Sequence, residues 1–89
     1  MYTIMSISNE GRYFLVNGWK KHNSFWTRRA TPEKNGFKTE GLACRSMNHL
    51  LKIMPDYRTD KLTLVKFNTE DRTLEPVREY SMLKPVWNY

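Results

Sequence analysis

Between residues 39 and 54 the apolar side chains recur at helical spacing, and this stretch organises the rest of the chain. At about 100° per residue, Ala43, Met47, Leu50, Leu51 and Met54 fall within an arc of about 100°. Arg45, His49 and Lys52 recur at steps of four and three on the opposite side. Thr39 is placed to cap the first turn, Glu40 suits the positive end of the helix, and Pro55 stops it.

Around that helix the pattern shifts to strand spacing. Residues 2–8 set Ile4 on one face and Met5 and Ile7 on the other, and Asn9-Glu10-Gly11 turns the chain back. Residues 12–17 read as a second strand whose Tyr13-Phe14-Leu15-Val16 run is apolar on both faces. One face is expected to meet the helix, and the other needs a second cover, for which the C-terminal tail is available. Gly18 ends the strand, and residues 19–24 form a basic loop. Residues 25–30 resume a strand with Trp26, Arg28 and Ala30 on one side. Thr31-Pro32-Glu33-Lys34-Asn35-Gly36 is turn chemistry, and Phe37 seals the lower end of the helix.

Beyond the helix, residues 61–68 alternate Leu62 and Leu64 against Thr63, Val65 and Phe67. Residues 72–80 form a fifth strand that Pro76 pushes to a sheet edge, since proline donates nothing to a ladder. The tail, with Met82, Leu83, Val86 and Trp87, is too apolar for a linker and is expected to pack back or to form a homodimer through residues 82–89. The order βββαββ predicts an α+β fold, a mainly antiparallel sheet of about five strands on one helix, in a single domain spanning 1–89.

Composition adds compartment and charge. The chain is 39% hydrophobic and 13% aromatic, which supports a folded core. No apolar run reaches the roughly 18–20 residues of a membrane span, and the N-terminus lacks the features of a signal peptide. A single cysteine allows no internal disulfide and suits a reducing, cytoplasmic setting. Fifteen Lys and Arg face nine Asp and Glu, a net charge of +6. Through Met54 there are nine basic and three acidic residues, so all of the excess lies in that part. Such segregation points to a polyanionic or acidic partner.

The densest candidate for that contact is Trp19-Lys20-Lys21-His22-Asn23-Ser24-Phe25-Trp26-Thr27-Arg28-Arg29. Cations neutralise phosphates and flat rings stack on bases, so Trp19, Lys20, Lys21, His22, Trp26, Arg28 and Arg29 are candidate contacts for single-stranded nucleic acid. The helical row of Arg45, His49 and Lys52 would suit a helix laid along phosphates. It reinforces the first signal if both lie on one side of the molecule. The same cations could meet an acidic protein surface.

Catalytic readings find less support. Cys44 and His49 stand about 140° apart around the helix, so they do not make a nucleophile–base pair. Cys44 borders the apolar arc as a small core residue. No zinc spacing or cofactor motif is present, and His22 as a general acid lacks a second group placed by spacing.

In the compact basic chain from Met1 to Tyr89, the basic aromatic hairpin and the apolar tail, the sequence resembles the small accessory proteins that tailed phages of the T4 kind make early in infection. The resemblance implies a complete short protein acting in the host cytoplasm by inhibiting or redirecting a host enzyme, toxin or nucleic acid, including neutralisation of an RNA-associated toxin. It assigns no residue. The expectation is therefore a binding protein, not an enzyme, without cofactor, for RNA or single-stranded nucleic acid. The alternative is an inhibitor docking on an acidic host protein.

Overall fold

The computed structural model describes residues 1–19, 25–53, 61–68, 70 and 73–80. In chain order these form β1 (Tyr2–Ser8), β2 (Gly11–Leu15), β3 (Trp26–Thr27), α1 (Pro32–Asn35), α2 (Glu40–Ile53), β4 (Lys61–Asn68) and β5 (Thr73–Glu79). The strands make one antiparallel sheet ordered β3-β2-β1-β4-β5, with α2 packed on it. The radius of gyration, 12.0 Å, equals the value of about 12 Å for a folded chain of this length.

Two antiparallel pairs, β1–β2 and β4–β5, build most of the sheet. Ser8 faces Gly11 across Asn9-Glu10, and Gly11 has φ +126°, a left-handed value that glycine adopts without a Cβ clash. The two pairs meet along β1 and β4, where Tyr2 pairs with Lys66, Ile4 with Leu64 and Ser6 with Leu62. β5 lies at the edge, as Pro76 requires, and the register shifts between Leu64 and Val65, leaving Val77 as the extra, exposed residue.

Strand alternation sorts the core. Ile4, Leu15, Leu62 and Leu64 lie on one face, fully buried with Ala43, Cys44, Met47 and Leu50 of α2. Thr39 accepts from Leu42 N–H at 3.1 Å, capping the helix as its position predicts. On the second face Phe14, Val65 and Phe67 are also buried. The expected cover for that face, and the proposed dimer contact, fall on residues 81–89, outside the described residues.

Three local expectations need correction. β3 is two residues long, not six, because Thr27 Oγ1 donates to Arg29 O at 2.7 Å and turns the chain out of the ladder. β2 ends at Leu15, although Val16 N–H still donates to Phe25 O at 2.9 Å. Residues 31–36 are more than a turn: Pro32–Asn35 form one helical turn capped by Thr31, whose side chain accepts from Lys34 N–H. Asn35, fully buried, fastens that turn to the sheet by donating to Phe14 O, Leu15 O and Thr27 Oγ1 and accepting from Thr31 N–H.

Candidate nucleic-acid interface

Gly18, at φ +78°, redirects the chain after β2 so that Trp19 lies against the side of α2. The indole N–H donates to Ser46 Oγ at 2.9 Å. The ring meets Phe25 edge-on at 5.2 Å between centroids and leans on the His49 imidazole at 5.3 Å. Ser46 and His49 are three apart on α2 and so share a flank, which is why one indole reaches both. Trp19 is thereby held in place while remaining half-buried.

A groove of about 540 Å³ opens beside it, walled by residues 17–19, by Phe37 and Lys38, and by Leu42, Arg45, Ser46 and His49 of α2. Among the described residues three basic side chains line it, Lys38, Arg45 and His49, and no carboxylate does. Lys52, exposed, continues the row one turn along the helix. The Arg78–Glu40 ion pair, at 3.6 Å, lies on the opposite flank of α2, beside β5. Positive charge thus faces the groove without a carboxylate among its described walls, an arrangement that favours an anion at short range.

The structure brings together Trp19, Arg45 and His49, which the sequence offered as members of two separate signals. Trp26 requires a correction: on β3 opposite Leu15 it is only 7% exposed and belongs to the core, so its face is closed to a stacking base. Arg28 is exposed and turns back over Tyr13, 5.2 Å from the ring centroid, with Nη2 donating to the phenol oxygen at 3.0 Å. Arg29 is exposed at the end of that turn. Lys20, Lys21 and His22 lie outside the described residues.

Lys38, Leu42, Ser46 and Asn17 enter the site without having been singled out. Leu42 precedes Arg45 by three, so the helical row could have been extended backwards from spacing alone. Ser46, three before His49, falls to the same spacing, whereas Asn17 carries no such signal, because it joins the site through a partner distant in sequence. Asn17 Nδ2 donates to Gly36 O at 2.6 Å, and Ser46 accepts from Trp19.

The perturbed acids lie elsewhere. Burial pushes the Cys44 thiol up to about 12 from 9.0, with Arg78 opposing and Glu40 adding to the rise. Burial likewise raises the Tyr80 phenol to about 12, and its hydroxyl bonds Asn48 Oδ1 on the β5 flank of α2. A thiol so protonated and fully buried is a poor nucleophile at neutral pH. Among the described residues no three His, Cys, Asp or Glu side chains gather to hold a metal ion, and no helix is long and apolar enough to cross a membrane. No known protein family, curated protein or solved structure matches the chain.

Proposed function

We propose that this is a small basic binding protein, not an enzyme, that takes RNA or other single-stranded nucleic acid at the groove beside Trp19. One observation carries the reading: a partly exposed indole, fixed in place, shares with Lys38, Arg45 and His49 a groove whose described walls hold no carboxylate. Cations alone suit phosphates and carboxylates equally, whereas the flat ring adds a surface for a base. Lys52 would extend the phosphate contacts, and Lys20, Lys21 and His22, which follow Trp19 in sequence, remain candidates for the same role. The resemblance to early phage accessory proteins supports a role in the host cytoplasm, inhibiting or redirecting a nucleic-acid-associated enzyme or toxin.

The test is binding of labelled single-stranded RNA across a salt series, comparing the parent with Lys38→Ala/Arg45→Ala. Both side chains are exposed, so the fold should survive. The parent should bind, and the double variant should lose about 0.7 of salt slope per contact removed, for all sequences alike. Unchanged affinity and slope would exclude the groove. A nuclease-resistant, stoichiometric complex with an acidic host protein, and no binding to RNA, would replace this reading with the inhibitor alternative.

A further inference from the structure

Proteins that hold a continuous single strand stack successive bases on successive aromatic faces. Of the described aromatic residues only Tyr2 and Trp19 escape full burial, and Tyr2 sits in the β1–β4 ladder opposite Lys66. Trp19 is therefore the one described Phe, Tyr or Trp ring bordering the groove that is not buried, and the exposed His49 imidazole, leaning on it at 5.3 Å, forms a single aromatic patch with it. It is also fixed: Phe25, His49 and Ser46 hold it on three sides, so it does not swing out to track a strand. The groove, at about 540 Å³, falls in the range of roughly 300–1,000 Å³ that encloses a ligand of drug size, comparable to one nucleotide.

Polar groups suited to a base edge border the same space. Asn17 spends its amide NH2 on the Gly36 carbonyl, which leaves its oxygen as an acceptor. Ser46 accepts the indole N–H, which leaves its hydroxyl proton to donate. Lys38 and Arg45, which also line the groove, would supply charge for the phosphates adjoining the base.

Resting on the nucleic-acid reading above, we infer that the groove receives one unpaired nucleotide with its adjoining phosphates, as at a strand end or a bulge, and not a run of stacked bases. Among the described residues, one aromatic patch and one nucleotide-sized space make a short site. Longer strands add more copies of that site without deepening it.

Fluorescence anisotropy with labelled oligouridylates, from the dinucleotide through trimer and hexamer to dodecamer, reads this directly. Affinity per site should rise to about three nucleotides and then level off, and the dodecamer should take several protein copies. Trp19→Ala should weaken the trimer about tenfold, within the range of a lost base-stacking contact. Arg45→Ala, at an exposed position, should weaken trimer and dodecamer by the same factor. A dodecamer bound by a single copy about a hundredfold more tightly than the trimer would overturn the short site yet leave nucleic-acid binding intact. Binding at no length would remove both.

Discussion

Replacing Asn35 by Ala should cost this fold more than any surface change, although the residue lies in what reads as an ordinary turn. Its amide donates to Phe14 O at 3.1 Å, Leu15 O at 2.9 Å and Thr27 Oγ1 at 3.0 Å, and it accepts from Thr31 N–H at 3.0 Å. Those partners belong to β2, β3 and the cap of α1, so one side chain joins three elements. At about 1 kcal/mol for each bond, with some recovery through Thr3 Oγ1 at Leu15 O, the loss is about 3 kcal/mol. A domain of this length holds only about 4–13 kcal/mol in total. The melting temperature should therefore fall by about 12–24 °C. Thermal melting followed by circular dichroism measures that fall, urea unfolding measures the free-energy loss, and the slope with denaturant should not change. Asn35→Asp separates shape from donation: it keeps the acceptor for Thr31 and presents a carboxylate to the carbonyl oxygens. It should be at least as unstable as the alanine variant at pH 7 and recover in part as that carboxyl is protonated at lower pH. A loss below about 1 kcal/mol for Asn35→Ala, or a parent-like Asn35→Asp, would refute the account.

Alkaline stability should report Cys44. The unfolded thiol releases its proton near 9.0 and the folded one only near 12, so its contribution is intact below pH 9 and disappears as pH rises towards 12. Cys44→Ala should reduce the stability lost between about pH 9 and 11 by on the order of 2 kcal/mol, measured by urea titration at each pH. An equal alkaline loss in parent and variant would assign the effect to other groups, Tyr80 first. Gly36→Ala should destabilise by about 1–3 kcal/mol, since its Cβ would lie under 3.0 Å from the Pro32 carbonyl oxygen and the Met1 sulfur. The sulfur can move, but the carbonyl is backbone, so α1 must shift. A parent-like melting curve would contradict that crowding.

The elements legible in the sequence are those whose signal is local. β1, β4 and α2 announce themselves by period, and Pro76 places β5 at an edge because a missing donor is tolerated only there. The pairing of β1 with β4 is not local, and no turn between them reveals it. The two tryptophans show the same divide at the site. Trp19 and Trp26 sit in one basic stretch with similar neighbours, and composition does not separate them. What separates them is a ladder contact to Leu15 for one and a hydrogen bond to Ser46 for the other, both across long sequence distances. Asn35 was hidden for a related reason: in Thr-Pro-Glu-Lys-Asn-Gly an asparagine is ordinary turn chemistry, and nothing nearby shows that its amide reaches β2 and β3.

The strand order also has a consequence for synthesis. β1 leaves the ribosome first, yet it occupies the middle of the sheet, with β2 on one side and β4 on the other. The first hairpin can close at once, because Ser8 and Gly11 are nearly adjacent. The second edge of β1 must wait, and α2 emerges before Leu62 and Leu64, which form part of the floor it packs on. Closing the loop that brings Lys66 to Tyr2 carries an entropic cost that no local contact offsets. The nascent chain therefore carries a half-satisfied central strand until β4 arrives, and a fragment ending at α2 should expose that edge to other chains.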